Sequence, residues 1–160
     1  MSIKVGDKLP DATFMEMTSD GPQPRTTADV FGGKTIALFA VPGAFTPTCS
    51  ARHLPGFIDK ADDMKAKGVD EIVCTSVNDV FVMGAWGKSA EAAETVRMLA
   101  DGNGAFASAV GLELDGSGFG MGKRSQRYSM LVKDGVVAEL NVEQGPEFKV
   151  SSADYLLGQL

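Results

Sequence analysis

Thr35-Ile36-Ala37-Leu38-Phe39-Ala40-Val41 is an unbroken apolar run closed by Pro42-Gly43. A run of this kind reads as a central strand buried on both faces. A helical pattern follows it. Leu54, Phe57, Ile58, Ala61 and Met64 recur at helical spacing, one apolar stripe that packs on a sheet and runs until Gly68 stops it. Ile72-Val73-Cys74-Thr75-Ser76-Val77 then reads as a second buried strand, and Asp79 as the N-cap of a helix through Val80-Phe81-Val82-Met83. The order is strand, helix, strand, helix.

The carboxyl-terminal half is read the same way. Phe106–Val110 is a weaker strand expectation. Tyr128-Ser129-Met130-Leu131-Val132 and Val136-Val137-Ala138-Glu139-Leu140 are stronger, joined through Lys133-Asp134-Gly135, where Asp-Gly signals a hairpin and antiparallel pairing. Ser151 or Ser152 caps a short helix carrying Tyr155, Leu156 and Leu157, and Ala12–Met17 is expected to form an amino-terminal edge strand. A βαβ half followed by a ββα half predicts a layered α/β domain with a mixed sheet. The stretch Gly116–Gly122 is expected to be a mobile loop, and its glycines do not match a dinucleotide-binding pattern.

Composition narrows the function. A chain of 160 residues with 44% apolar content can bury one sizeable core, so residues 1–160 are expected to form a single domain. No apolar run is long enough to span a bilayer, and the amino terminus has no secretory h-region, so a cytoplasmic protein is expected. The net charge of −6 argues against nucleic acid and anionic membrane as partners. Two cysteines are too few for a disulfide framework, and a single histidine leaves too few soft ligands for a closed zinc site. No cofactor is expected. Cysteine, if it matters, matters as a nucleophile.

Cys49 has the setting for that role. Pro47 suits the first turn of a helix and Thr46 its N-cap, which places Cys49 in the first turn, where free N–H groups and the helix dipole favour a thiolate. Thr48 and Ser50 beside it are polar, unlike the surroundings of an inert core thiol.

The pattern Pro42-x-x-x-Thr46-x-x-Cys49 resembles the active-site motif of the peroxiredoxins, and Pro42-Gly43-Ala44-Phe45-Thr46-Pro47-Thr48-Cys49-Ser50-Ala51-Arg52-His53-Leu54-Pro55-Gly56-Phe57 resembles their type-five branch. Asn78-Asp79-x-Phe81-Val82-Met83-x-Ala85-Trp86 and Arg127-Tyr128-Ser129-Met130 extend the likeness over nearly the whole chain. The resemblance implies a thioredoxin-like fold, a homodimer and reduction of hydrogen peroxide or alkyl hydroperoxides. Cys49 would attack the O–O bond and become a sulfenic acid. The Thr46 hydroxyl can accept and donate, so it can hold the peroxide against the sulfur. Pro42 has no N–H and would shield the sulfur from water, and the backbone N–H of Cys49 would complete the donor set. From pattern alone Arg127 is a solvated arginine ahead of a strand; the resemblance instead makes it the guanidinium that stabilises the thiolate and binds peroxide oxygen.

Other residues stay open between structure and chemistry. His53 lies one helical turn beyond Cys49 and either packs or tunes the site, with packing the favoured role. Phe45 and Trp86 read as core or interface groups, although Phe45 could line a pocket for an organic hydroperoxide together with His53. Cys74 sits in an apolar strand, where an inert thiol is the default and a resolving role the minority reading. The later resolving cysteine of animal relatives is missing, since that stretch reads Lys149-Val150-Ser151-Ser152. An external thiol is therefore expected to reduce Cys49, with glutathione plus glutaredoxin favoured over thioredoxin. Two rivals are a thiol–disulfide oxidoreductase, which would want a Cys-x-x-Cys pair where position 46 is threonine, and a redox sensor or holdase switched by Cys49 oxidation.

Overall fold

The computed structural model describes residues 2–92 and 94–160. In chain order the elements are β1 (Thr13–Thr18), β2 (Gly21–Thr26), α1 (Thr27–Phe31), β3 (Thr35–Ala40), α2 (Leu54–Asp59), α3 (Ala61–Ala66), β4 (Glu71–Ser76), α4 (Val80–Ser89), β5 (Arg97–Ala100), α5 (Ala105–Val110), β6 (Glu113–Asp115), β7 (Lys123–Ser125), β8 (Tyr128–Lys133), β9 (Val136–Val142) and α6 (Ala153–Leu157). Seven strands form one mixed sheet in the order β2-β1-β5-β4-β3-β8-β9, with β6 and β7 as a separate pair. β3 pairs parallel with β4 and antiparallel with β8, so the apolar run of the sequence does occupy the middle of the sheet.

The alternation of side chains along β3 divides the core. Ala37 and Phe39 face one layer with Leu54, Phe57, Met64, Met83, Trp86 and Leu156 of α2, α3, α4 and α6. Ile36, Leu38 and Ala40 face the other, with Val30, Phe31, Phe106 and Val110 of α1 and α5. The result is three layers. Asp79 caps α4 through its side chain, which accepts from the Val82 N–H, and Ser152, one of the two serines considered, caps α6 by accepting from the Tyr155 N–H. The β8–β9 hairpin turns at Asp134 and Gly135, both at positive φ (48° and 77°), as a type I′ turn requires.

Three expectations are corrected. Phe106–Val110 lies in a helix, α5, because the Asp101 carboxylate accepts from the Phe106 and Ala107 N–H groups and fixes the first turn of an alanine-rich segment. The strand in that region is β5, four residues long, led by Arg97 and too short to show alternation. The segment near Ala12–Met17 does form a strand, but an inner one. Its outer neighbour β2 carries Pro22 and Pro24, which only an edge strand tolerates. The single helix read up to Gly68 is broken at Lys60 into α2 and α3.

Candidate active site

Cys49 lies between the carboxyl end of β3 and α2. Its helix starts at Pro47, with the Ser50 N–H donating to the Thr46 carbonyl (2.9 Å), so Thr46 holds the N-cap place and Cys49 the first turn. The next turn is wide. The Leu54 N–H reaches back five residues to the Cys49 carbonyl rather than four. Pro55 explains this, because it has no N–H and its ring crowds the carbonyl four residues earlier, which a regular turn cannot relieve.

The loop ahead of the helix is held under strain. Phe45 has φ of 65°, a left-handed conformation worth about 1–2 kcal/mol for a residue with a Cβ. The Asn78 side chain opposes the loop's relaxation: its Oδ1 accepts from the Ala44 N–H (2.9 Å) and the Ser76 hydroxyl (2.6 Å). The Phe45 ring is half exposed and tilted 6.4 Å from Trp86, whose indole N–H donates to Ser50 Oγ (3.0 Å). Trp86 itself is core, as its sequence context suggested.

Two donors meet the sulfur. Thr46 Oγ1 is 2.8 Å from Cys49 Sγ and 2.7 Å from the Gly43 carbonyl; the hydroxyl has one proton for these two acceptors. Arg127 Nη2 donates to Cys49 Sγ at 3.0 Å. The arginine is 78 positions away in sequence, and register brings it in. Ala40 pairs with Tyr128 across β3 and β8, so Arg127, one step before β8, sits beside the loop that leaves β3.

Behind Arg127 stands His53, fully buried. Arg127 Nη1 is 2.8 Å from His53 Nδ1, and because a guanidinium can only donate, Nδ1 is the acceptor. The ring proton is therefore on Nε2, which donates to the Ser151 carbonyl (2.9 Å). Burial first, and then the Arg127 charge, push the His53 pKa down to about 3, against the opposing Ser151 contact. His53 is a neutral acceptor set behind the guanidinium, packed on Phe39, Phe57 and Phe148.

The carbonyl that anchors His53 is itself held by a device that no sequence pattern announced. Glu143 is buried, and its Oε2 accepts from the N–H groups of Lys149 (2.8 Å), Val150 (2.9 Å) and Ser151 (2.7 Å) and from the Ser151 hydroxyl (2.6 Å). Burial raises its pKa, but the hydrogen bonds from Ser151, Lys149 and Val150 outweigh burial and hold it below the usual carboxylate range. The carboxylate thus shapes the 143–151 loop, which presents Phe148 and the Ser151 carbonyl to the site.

The structure brings Cys49, Thr46, Arg127 and His53 together, with Phe45 at the margin and Pro42 half-buried at the loop's start. Cys74 is apart from these contacts. It is fully buried in β4, paired with Phe39, and carries a free thiol whose pKa burial pushes well up, with the neighbouring Cys49 adding to the rise and Arg127 opposing it. Among the described residues no group of three or more His, Cys, Asp or Glu side chains could hold a metal ion.

Comparison with known proteins agrees with this geometry. The Redoxin family model matches residues 4–157. The chain is 50% identical to Peroxiredoxin-2B of Arabidopsis thaliana over 99% of its own length and 98% of that protein's. It is 46% identical to the hybrid peroxiredoxin hyPrx5 of Haemophilus influenzae, over all of this chain and 67% of that one. Its fold superimposes with a TM-score of 0.95 on reduced Prx3 of Vibrio vulnificus in complex with hydrogen peroxide, at 52% identity and 98% coverage of both chains. With a cysteine at a helix start, its threonine and arginine donors and full-length similarity at this level, the chain belongs to the peroxiredoxins, thiol-dependent peroxidases with a thioredoxin-like fold.

Proposed function

We propose that the protein reduces hydrogen peroxide and organic hydroperoxides at Cys49 and is returned to the thiol by an external reductant, glutathione with glutaredoxin in preference to thioredoxin. The observation that carries the first part is the pair of donors on one sulfur, Thr46 Oγ1 at 2.8 Å and Arg127 Nη2 at 3.0 Å. The Cys49 thiolate attacks one peroxide oxygen in line with the O–O bond. That bond breaks, Cys49 becomes a sulfenic acid, and the departing oxygen takes a proton and leaves as water or alcohol. Arg127 and Thr46 already stand beside the reacting atoms, so they meet the charge that develops there without rearrangement. His53 holds the guanidinium in plane from behind and stays neutral, so it does not compete as a proton source. Pro42 shields the sulfur, and the exposed Phe45 borders the approach of a larger hydroperoxide.

The second part rests on Cys74. A thiol buried in the central sheet, with its ionisation disfavoured, is a poor nucleophile toward a sulfenic acid, and the stretch where animal relatives carry a later cysteine reads Lys149-Val150-Ser151-Ser152. A thiol from outside is the simpler route. Exposed aromatic side chains at Phe45 and Phe81 support a homodimer, to be tested by sedimentation, and no described helix is long and apolar enough to cross a membrane. The defining experiment is the second-order rate constant of Cys49 oxidation by hydrogen peroxide. It should exceed that of an ordinary thiol by several orders of magnitude; a rate equal to free cysteine would sink the reading. Mass spectrometry of peroxide-treated protein, with and without glutathione, reports the second half: a glutathione adduct on Cys49 is expected, and a Cys49–Cys74 disulfide would contradict it.

A further inference from the structure

The chain has five arginines and a net charge of −6. They fall into two sets. Arg25 and Arg97 pair with the Glu16 carboxylate, and Arg97 also with Glu71. The other three lie around the segment that carries Cys49: Arg127 on the sulfur, Arg124 on the Pro42 carbonyl and Arg52 three residues beyond Cys49; among the described residues none forms an ion pair with a carboxylate. Arg127 is already engaged by the sulfur and His53. Arg52 and Arg124 contact neither of these and carry only backbone or ring contacts.

Their placement is specific. Arg52 is exposed, with its guanidinium carbon 4.7 Å from the centre of the Phe148 ring, and Arg127 approaches the same ring at 5.9 Å. Arg124 lies over Gly43: its Nε donates to the Met121 carbonyl (2.9 Å) and its Nη1 to the Pro42 carbonyl (3.5 Å). A Cβ on Gly43 would come within 3.0 Å of that Nη1 and 3.2 Å of the Thr46 methyl, so the missing side chain is what lets Arg124 approach the peroxide loop. Three cations set around one loop, with no carboxylate paired to any of them, repel each other. An anion entering there relieves the repulsion, and a guanidinium's fork suits a carboxylate.

We propose that Arg52 and Arg124 form a docking rim for the carboxylate of a small molecule whose other end reacts with Cys49. The inference rests on the peroxidase reading above. Two sources share this chemistry. One is a carboxylate-bearing thiol of the glutathione class: its sulfur attacks the Cys49 sulfenic acid, an S–S bond forms, the S–O bond breaks, and the hydroxide leaves as water with the thiol's proton. The other is a fatty-acid hydroperoxide, whose O–O bond Cys49 cleaves as before.

The rim is read first without peroxide. Reduced protein is alkylated with iodoacetate or its neutral isostere iodoacetamide, and Cys49 modification is followed by mass spectrometry. The iodoacetate-to-iodoacetamide rate ratio should be roughly 3- to 30-fold higher in the wild type than in the Arg52→Gln, Arg124→Gln double variant, from two partly exposed ion pairs, and 0.5 M salt should shrink the difference. Arg52→Gln alone, at an exposed position, should show part of it. Because each ratio is internal to one variant, a change in overall Cys49 reactivity cancels. Two further arms find the source: 3-mercaptopropionate against 2-mercaptoethanol in reducing the sulfenic acid, and linoleic acid hydroperoxide against its methyl ester in forming it. The arm whose charge preference falls in the double variant names the half-reaction. Equal alkylation ratios in wild type and variants, or two flat arms, would overturn the proposal. Slow oxidation by hydrogen peroxide with the alkylation ratio intact would instead strike the peroxidase reading and leave the rim standing.

Discussion

Replacing Glu143 by glutamine tests whether the 143–151 loop acts on Cys49 through His53 and Arg127. The substitution keeps shape and removes charge from an oxygen that accepts four hydrogen bonds, three from consecutive backbone N–H groups and one from the Ser151 hydroxyl. Hydrogen bonds to charged groups contribute about 1.5–3 kcal/mol each against about 0.5–1.5 for neutral ones. Four bonds sharing one oxygen are not additive, so the expected loss is about 2–4 kcal/mol. For a chain of this size that lowers Tm by roughly 4–16 °C. The functional effect passes along a short chain of contacts: a looser loop moves the Ser151 carbonyl, His53 loses its Nε2 anchor, and Arg127 loses the fixed acceptor that sets its angle toward the sulfur. A misplacement of reacting groups by about 1 Å costs on the order of 100-fold in rate. Oxidation of Cys49 by hydrogen peroxide should therefore slow by roughly 10- to 100-fold. Stopped-flow fluorescence of Trp86 is the assay, since its indole bonds Ser50, the neighbour of Cys49. Glu147→Gln is the control: it makes the same charge change in the same loop, at a half-exposed side chain paired only with Lys149. Its rate should stay within about twofold of wild type, as surface pairs are worth little. A Glu143→Gln protein that loses stability yet oxidises at the wild-type rate would refute the chain of contacts.

Other expectations follow from single residues. His53 is neutral when folded, with a pKa near 3 against 6.5 as its ordinary value, so the stability it contributes is whole above pH 6.5 and drains as pH falls toward 3, by about 1.4 kcal/mol per unit. Urea midpoints between pH 7.5 and 5, above the usual carboxylate range, should show this slope, and His53→Gln should flatten it; a flat wild-type profile would contradict the buried neutral ring. Asn78→Ala removes the acceptor that pins Ala44 and so frees the strained turn at Phe45. Peroxide oxidation should slow by about tenfold, with little change in thermal midpoint, and an unchanged rate would show that the loop needs no such pin. Cys74→Ala should keep turnover with glutathione and glutaredoxin, whereas loss of turnover with sulfenic acid accumulating would make Cys74 the resolving residue.

Much of this molecule is written in local patterns. The apolar run of β3, the stripe from Leu54 to Met64, the Asp134-Gly135 turn and the Asp79 cap depend on near neighbours and on burial, so each is legible from the chain alone. Cys49 is legible for the same reason, because Pro47 and Thr46 mark a helix start within three residues. β2 carries no strand signal in the sequence, and α5 reads there as a strand, because something outside each segment governs it. Edge position makes two prolines tolerable in β2, and a carboxylate at Asp101 turns an apolar pentad into a helix.

The sequence by itself determined a layered α/β chain with a cysteine at a helix start, the residue proposed as its nucleophile. Only the tertiary structure decided what surrounds that sulfur. Arg127 reaches it through the pairing of β3 with β8, His53 takes its tautomer from the two groups on either side of it, and Glu143 builds a loop by accepting from residues 6 to 8 positions further along. The physical reason is direction. Periodicity and caps report which face of an element is buried, but a hydrogen bond to Cys49 depends on where separate elements bring their ends, and that is settled by packing across the whole sheet.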